Sequence, residues 1–438
     1  MARQLLLRHV KARLKSGSLK RFALTMLAAV GARLSLLVLA IIAGRTFGPA
    51  AFGTFTFATG AALVAAQLAG MGWPHLMNRM MPRLLIKQDW GALRGLLRGG
   101  FSVVLASSLL CSIAFHASSY LAGDLSLSFT LAALLVPGLA LCILRRQQLA
   151  ALRMPQVGML FDQGFGAFLV VVALLVLGSL TLFQLTAFYA AATLLGVLIS
   201  TLLLKRILPS ETFRVKPKIA WKAWMLTAMP IMLGMSAKLI SAKVDVLLLA
   251  PLADLTETGI YGAAWRLTYV LTFPQVVLMT LVTPALSNAF TDGDMARAHR
   301  VMKLSLLFTA LSSVPLAAAI LFAAEPIMAL VFGSEFAEGA GPLRILALGQ
   351  TAASFSMVFA SILVMGTREG AFAVVNVTAL AVVVILCLAL IPIYGGMGAA
   401  IAVASTAAVS LVIQAWLGLD WIRRQSNFKY DPSGSSRT

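Results

Sequence analysis

Long apolar runs with few charged residues recur along the whole chain. A helix that crosses a bilayer needs about 20 predominantly apolar residues, and twelve runs of this kind can be placed in the sequence. The predicted spans cover residues 22–43, 52–72, 95–117, 125–145, 158–179, 183–204, 224–250, 259–288, 302–323, 342–364, 370–392 and 396–421. The pattern therefore predicts an all-α, polytopic membrane protein with about 12 transmembrane helices.

The segments between the spans are short, and they set the predicted domain organisation. The longest of them, residues 205–223, has no room for a folded soluble domain. The polar end of the chain lacks apolar periodicity and is predicted to be disordered. The predicted division is a basic cytoplasmic N-terminal segment (1–21), an N-terminal six-helix lobe (22–204), a cytoplasmic linker between the lobes (205–223), a C-terminal six-helix lobe (224–421) and a disordered cytoplasmic tail (422–438).

The composition supports a membrane protein and argues against a soluble one. Apolar residues make up 60% of the chain and charged residues only 11%, whereas soluble proteins carry about a quarter charged residues. A net charge of +20 would suggest nucleic-acid binding in a soluble protein, but such a protein could not carry so many spanning runs. We therefore predict a phospholipid bilayer as the surroundings and no nucleic-acid partner.

The positions of the Lys and Arg residues predict how the chain is oriented. Short cytoplasmic loops hold an excess of positive charge. Alternate segments, beginning with the N-terminal one, hold 29 of the 35 Lys and Arg residues, whereas the opposite set holds only Arg45 and Arg344. The sequence thus predicts an even number of spans, with both termini on the cytoplasmic side of the membrane.

Two short sequence matches suggest that the halves of the chain are copies. Ala32-Arg33-Leu34 in span 1 matches Ala237-Lys238-Leu239 in span 7, 205 residues later. Phe52-Gly53-Thr54-Phe55, which opens span 2, matches Thr258-Gly259-Ile260-Tyr261, which opens span 8, at an offset of 206. Because each copy has six spans, we expect two pseudosymmetric lobes related by an axis along the membrane normal.

Four basic residues lie well inside predicted spans, away from the span ends, and we predict that they bind substrate. Arg33 and Lys238 lie near the middle of spans 1 and 7, and Lys243 and Arg266 lie in spans 7 and 8. A cation at a helix centre costs about 2.5–3.5 kcal/mol, so such residues usually face a wet cavity or a partner. Cations facing a cavity would form an anion site. The alternative is that each cation pairs with a carboxylate or a local carbonyl only for packing, and Lys243 could also extend toward the membrane surface.

Two acidic residues lie clearly within spans, Asp162 in span 5 and Asp245 in span 7. Intramembrane carboxylates in transporters often relay protons, so both are candidates for ion coupling. The alternative for Asp245 is an ion pair with Arg266 of the neighbouring span.

No enzyme motif is present in the sequence. It contains no Gly-x-x-x-x-Gly-Lys phosphate loop, no His-Glu-x-x-His and no Gly-x-Ser-x-Gly. The three cysteines form no Cys-x-x-Cys pair, and the four histidines show no ligand spacing. We predict a protein that is not an enzyme and that binds no metal and no cofactor.

Several short blocks, in order along nearly the whole chain, resemble those of one membrane-protein family. They are similar to blocks of the polysaccharide transporter (Wzx-type O-antigen flippase) family of the multidrug/oligosaccharidyl-lipid/polysaccharide exporter superfamily. The blocks are Gly48-Pro49-Ala50-Ala51-Phe52-Gly53, Asp245-Val246-Leu247-Leu248-Leu249, Thr258-Gly259-Ile260-Tyr261, Pro284-Ala285-Leu286-Ser287, Phe332-Gly333-Ser334-Glu335-Phe336, Leu343-Arg344-Ile345-Leu346 and Gly395-Gly396-Met397-Gly398-Ala399-Ala400.

The resemblance implies two six-helix lobes around a central cavity that opens alternately to each side of the membrane. It implies a flippase for undecaprenyl-diphosphate-linked oligosaccharide repeat units, serving O-antigen, capsule or exopolysaccharide synthesis, with glycan polymerase and assembly proteins as partners. The alternatives are a lipid II flippase, which usually has fourteen spans, and a multidrug antiporter of the same superfamily. From other classes, a membrane glycosyltransferase or ligase and a non-transporting scaffold also remain open.

Overall fold

The computed structural model describes residues 18–178, 180–366 and 369–428, and every regular element within these ranges is helical. In the first half of the chain the helices are α1 (Ser18–Ala69), α2 (Trp73–Lys87), α3 (Trp90–Ser119), α4 (Ser126–Ala151), α5 (Pro155–Leu160), α6 (Gln163–Leu177), α7 (Leu182–Ile207) and α8 (Glu211–Arg214). In the second half they are α9 (Trp221–Ser241), α10 (Val244–Leu252), α11 (Leu255–Leu267), α12 (Tyr269–Thr291), α13 (Met295–Phe332), α14 (Ala340–Met365) and α15 (Glu369–Phe428). Short 3₁₀ turns cover Gly123–Leu125 and Ser334–Gly339.

Nine helical segments of the described chain are long and apolar enough to cross a membrane. One of them, α13, has a backbone break at Ala323, and two others are broken at a glycine, α1 at Gly48 (φ 74°) and α15 at Gly395 (φ 53°). Glycine adopts such left-handed angles without steric cost, and the breaks divide these helices into predicted spans 1 and 2 and predicted spans 11 and 12. Predicted span 7 corresponds to α9 and α10. The prediction of an all-α multi-pass membrane protein with about 12 spans is confirmed.

The chain folds into two compact units. The first comprises the described residues up to Ile42 together with Ala61–Ser236, and the second comprises Ala43–Gly60 together with the described residues from Ala237 onward. These units differ from the predicted lobes (22–204 and 224–421) at two places. Residues 43–60 pack within the second unit, and residues 221–236 pack within the first.

Aromatic and glycine contacts explain why the start of α9 belongs to the first unit. The Trp73 ring at the start of α2 packs edge-on against Trp221 and Trp224, with centroid distances of 5.8 and 5.9 Å. Just before α9, the Lys218 N–H donates a hydrogen bond of 2.9 Å to the Gly91 carbonyl of α3. A side chain at Gly95 would overlap the Lys218 carbonyl. The predicted linker (205–223) thus packs along α3.

A reciprocal glycine contact explains why residues 43–60 belong to the second unit. A Cβ atom built on Gly53 would overlap the Leu255 carbonyl, and one built on Gly259 would overlap the Pro49 carbonyl. Each built Cβ would also lie 2.9 Å from the backbone nitrogen of the other glycine. Gly53 pairs with Gly259, and Pro49 with Leu255, at the repeat offset of 206, so α1 and α11 cross at matched positions of the two copies.

A hydrophobic cluster joins α12, α13, α14 and α15 in the second unit. It includes residues near the C-terminal end of α15. The cluster consists of Val282, Leu286, Ala289, Ala298, Met302, Val358, Phe359, Ile362, Trp421 and Ile422. Beyond it, Arg424 and Asp420 form an i, i+4 ion pair with an N···O distance of 2.9 Å. Helix α15 therefore continues through the first part of the predicted tail (422–438) to Phe428. Residues 429–438, and residues 1–17 of the predicted basic segment (1–21), lie outside the described residues.

Candidate functional site

A break in predicted span 7 places a lysine and an aspartate at a new helix start. Helix α9 ends at Ser241 and α10 begins at Val244, so Lys243 is the N-cap residue of α10 and Asp245 lies in its first turn. The N-terminus of a helix carries a partial positive charge that stabilises a nearby carboxylate. The break therefore provides a favourable position for Asp245 inside a span.

Asp245 is hydrogen-bonded to a tyrosine of the next helix. The aspartate is only 1% exposed, and its Oδ2 accepts a hydrogen bond of 2.6 Å from the hydroxyl of Tyr261 in α11, itself fully buried. Hydrogen bonds to a carboxylate are roughly twice as strong as those between neutral groups. The side-chain donor to Asp245 is thus Tyr261 rather than Arg266, the partner that the sequence analysis considered.

Lys243 and Arg266 both lie over aromatic rings. The Lys243 Nζ is 5.1 Å from the ring centroid of Trp265, and the Arg266 Cζ is 4.7 Å from that of Phe52. Phe52 in turn packs against Phe332 and Phe336. Ring faces attract cations, so each of these two basic side chains has an aromatic contact in the second unit.

The two hydrogen-bond partners of the Arg266 side chain, Thr56 and Gly262, also lie 206 residues apart, at the offset of the sequence repeat. Its guanidinium donates hydrogen bonds of 3.0 Å to the Thr56 hydroxyl and to the Gly262 carbonyl. A Cβ atom at Gly262 would lie 2.6 Å from the Thr56 methyl carbon. Gly262 therefore lets the Thr56 side chain approach close enough to accept from Arg266.

A second carboxylate of the same helix binds the break in α15. The Glu257 Oε2 accepts a hydrogen bond of 2.6 Å from the Gly396 N–H. A side chain at Gly395 would overlap this carboxylate. Helix α11 thus contributes Glu257, Tyr261 and Arg266 to three separate contacts within the second unit.

The remaining predicted site residues lie in the first unit or outside the described side chains. Arg33 is exposed on α1, next to Ala32, which packs on Gly164 of α6. Asp162 forms an ion pair with Arg146, with an N···O distance of 2.6 Å. The Lys238 side chain lies outside the described residues, although its backbone is part of α9.

Three of the six predicted site residues therefore lie on or against α11: Arg266 belongs to this helix, Asp245 contacts its Tyr261, and Lys243 contacts its Trp265. The sequence analysis missed Tyr261 and Trp265 as members of this cluster. Their i, i+4 spacing on the helix that carries Arg266 was the available signal, because residues four apart share a helix face. Aromatic residues at helical spacing are also typical of packing, so this spacing alone does not indicate a site.

A cavity of about 230 Å³ in the first unit lies between α6 and α7. Its lining is entirely apolar, so it offers no group that could bind a charged headgroup. The lining residues are Leu169, Val170, Phe188, Ala191, Ala192 and Leu195. Within the described residues, no group of three or more His, Cys, Asp or Glu side chains could hold a metal ion.

Two family profiles match the sequence. The profile described as "Polysaccharide biosynthesis protein" matches residues 18–290. The profile named MatE matches residues 230–390.

Known proteins with similar sequences or folds are transporters and flippases. The chain is 30% identical over 172 residues to the probable low-salt glycan biosynthesis flippase Agl15 of Haloferax volcanii; the match covers 39% of this chain and 36% of that protein, about a third of its length. The solved structure of the lipid II flippase MurJ in an inward closed conformation aligns with a TM-score of 0.72 at 14% identity, over 95% of this chain and 94% of that chain. An inward-facing multidrug resistance MATE family transporter of the MOP superfamily aligns with a TM-score of 0.69 at 15% identity, over 90% of this chain and 96% of that chain. The two structures show that this chain has their fold.

Proposed function

Because this chain belongs to the polysaccharide biosynthesis protein family, we propose that it is a flippase that moves lipid-linked oligosaccharides across a membrane. The observation that carries the proposal is the family match over residues 18–290. The similarity to a named glycan flippase and the fold of MOP-superfamily transporters support it. These relatives are flippases and transporters rather than enzymes, so the prediction that the chain is not an enzyme is confirmed.

The finer part of the proposal concerns cargo, membrane and partners. The cargo is an undecaprenyl-diphosphate-linked oligosaccharide repeat unit, translocated by alternating access across a bacterial inner membrane for O-antigen, capsule or exopolysaccharide synthesis. The distribution of Lys and Arg supports cytoplasmic termini. Glycan polymerase and assembly proteins are the proposed partners, since a translocated repeat unit must be polymerised or transferred.

In this proposal, Arg33, Lys238, Lys243 and Arg266 attract the diphosphate. A diphosphate needs positive charge to leave water, and guanidinium groups match phosphate geometry especially well. The exposure of Arg33 supports this role. The positions of Lys243 and Arg266 against aromatic rings of the second unit support it as well.

Complementation of a flippase-deficient strain tests these roles. We expect that Arg33→Gln combined with Lys238→Gln abolishes surface glycan, because the diphosphate loses two midplane charges. Lys87→Gln is the matched control, because Lys87 is an exposed cation at the end of α2. Normal surface glycan in the double variant, at wild-type membrane levels, would reject the assignment.

Asp245 is the proposed ion-coupling residue, with Asp162 in second place. Asp245 is buried beside a single hydroxyl donor, Tyr261, so a proton could occupy the carboxylate and be released when that contact opens. Asp162 already forms an ion pair with Arg146 in the described structure.

Proteoliposomes that contain the protein and a fluorescent lipid-linked oligosaccharide test coupling directly. We expect an imposed pH gradient to accelerate translocation in the wild type and to have no effect on Asp245→Asn. Wild-type translocation that ignores the gradient would remove the coupling role and leave the flippase proposal standing.

A second candidate function, multidrug antiport, is favoured by the MatE match over residues 230–390. It predicts efflux of a cationic dye such as ethidium from cells that express the protein. The excess of intramembrane cations over carboxylates argues against a binding site for cationic drugs. Dye efflux without any effect on surface glycan would favour this second function.

A further inference from the structure

Three buried polar side chains of the first unit lie in the region where α2, α3 and α4 pack together, Trp73 on α2 and Arg145 and Gln148 on α4. Arg145 of α4 is only 8% exposed, and Gln148, one turn later, is fully buried. Trp73, the first residue of α2, is also fully buried. Neither Arg145 nor Trp73 is among the site residues of the proposed function, and they lie in a different unit from the Asp245 cluster.

Arg145 is a buried cation without a carboxylate. Among the described residues the ion pairs are Arg146 with Asp162, Arg297 with Asp292, and Arg424 with Asp420. The guanidinium of Arg145 donates one hydrogen bond of 2.6 Å to Gln148 Oε1 and lies 5.3 Å from the ring centroid of Phe101. Its buried Nε has no hydrogen-bond partner. Because an uncompensated buried charge is strongly destabilising, this position favours the arrival of an anion.

Two further buried donors of these packed helices also lack a good acceptor. The Gln148 amide nitrogen lies 2.8 Å from the Met77 sulfur, and a thioether is a weak acceptor. The buried indole nitrogen of Trp73 has no hydrogen-bond partner. These side chains therefore supply N–H donors from a guanidinium, an amide and an indole. Within the described structure no carboxylate pairs with the guanidinium.

Helix α3 holds these side chains in one layer. A Cβ atom at Gly100 would lie 3.0 Å from the Trp73 ring and would overlap the Met77 methyl group. The next residue, Phe101, carries the Arg145 guanidinium on its ring. Trp73, Met77 and Arg145 thus contact two consecutive residues of α3.

We propose that Arg145, Gln148 and Trp73 form a binding site for a phosphoryl anion in the first unit. The planar guanidinium supplies charge and paired N–H donors that match phosphoryl oxygens. Met77 leaves the Gln148 amide when the anion enters, because an unbranched thioether side chain changes its conformation easily. This site goes beyond the proposed function, and its existence does not depend on which cargo the protein moves.

Binding to the purified full-length protein in nanodiscs tests the site. The probes are inorganic pyrophosphate, followed by titration calorimetry, and phosphatidic acid compared with diacylglycerol, followed by native mass spectrometry. Binding of pyrophosphate assigns the site to a free anion, and binding of phosphatidic acid over diacylglycerol without pyrophosphate binding assigns it to a lipid headgroup. Absence of both overturns the proposal.

Three variants separate the site from general charge effects and from folding. We expect Arg145→Gln to weaken binding by at least about tenfold, since hydrogen bonds to charged groups contribute about 1.5–3 kcal/mol. Trp73→Phe keeps a large ring and removes the N–H, so it should weaken binding several-fold even if Arg145→Gln fails to fold. Arg98→Gln, which removes an exposed cation of α3, should bind like the wild type. Wild-type affinity in Trp73→Phe and in any folded Arg145→Gln protein would contradict the proposal.

Discussion

Tyr261 and Asp245 depend on each other for their buried positions. Each is almost completely excluded from solvent, and one hydrogen bond of 2.6 Å joins them. A buried acceptor that loses its donor costs far more than the net contribution of an ordinary hydrogen bond. The contact between α10 and α11 is therefore sensitive to a single hydroxyl group.

We predict that Tyr261→Phe lowers the stability of the second unit by about 1–3 kcal/mol, because it leaves the Asp245 carboxylate without this donor. Thermal unfolding in detergent, followed by size-exclusion chromatography, measures the effect. Tyr269→Phe is the control, since Tyr269 is exposed and its ring contact with Trp265 is kept. Adding Asp245→Asn should make the loss smaller than the sum of the two single changes. Strict additivity would contradict the pairing.

His75 gives the first unit a dependence on pH. Burial, and secondly the nearby charge of Arg146, lower the pKa of His75 from its ordinary value. The unfolded chain therefore binds more protons than the folded protein between the lowered pKa and the ordinary value of about 6.5. Stability is complete above about pH 6.5 and falls as the pH drops through this window.

We predict that His75→Gln flattens the loss of thermal stability on acidification below about pH 6.5. Unfolding midpoints measured across this range for the wild type and the variant give the comparison. An equal slope in His75→Gln and the wild type would rule out His75 as the source.

At the scale of helices, the crossing of α1 and α11 rests on two glycines. The Gly53 and Gly259 backbones approach so closely that neither position has room for a Cβ atom. Small residues permit this kind of approach between helices in membranes, where packing rather than hydrophobicity drives association. The Phe52 ring beside Gly53 then reaches Phe332 and Phe336 of the same unit.

We predict that Gly53→Ala or Gly259→Ala destabilises the second unit by about 1–3 kcal/mol or more, because overpacking forces the backbone apart. Expression level and thermal midpoint measure the loss. Gly31→Ala is the matched control on α1, where a Cβ atom meets nothing within 4 Å. Alanine there should be neutral or slightly stabilising, since it favours helix by up to about 1 kcal/mol. Comparable losses at Gly31 and Gly53 would contradict a contact effect.

At the scale of the whole molecule, hydropathy and short motifs were sufficient to predict the fold class and the family. The membership of the two units could not be predicted, because it depends on which helix faces touch. Gly53 was recognised as part of a repeat, yet only the packed structure shows that its partner is the matched Gly259.

The charged residues of the candidate site could be proposed from the sequence, whereas their contact partners could not, because those contacts also depend on helix packing. Charges inside spans are conspicuous in a sequence, so Lys243, Asp245 and Arg266 were found. Their partners, such as Tyr261 and Phe52, look like ordinary core residues until the helices pack. Arg145 was counted with a cytoplasmic loop because it stands at the end of a predicted span, whereas α4 continues to Ala151 and buries it.

We predict that the loop around Ser210 faces the cytoplasm and the loop around Ser334 faces the opposite side, as the charge distribution requires. Both residues are exposed in the structure. In a cysteine-free background, a membrane-impermeant maleimide should label Ser334→Cys in intact cells and Ser210→Cys only after permeabilisation. The reverse pattern would invert the orientation, and labelling of both in intact cells would contradict an intervening odd number of spans.

The reciprocal glycine crossing ties together the evolutionary histories of two positions that lie 206 residues apart. Gly53 and Gly259 each leave room for the backbone of the other helix. A mutation at one of these positions therefore changes the selection acting on the other. After a duplication, most of the two halves can drift independently, but this pair cannot. Descendants that gain a side chain at one position should show compensating change around the other.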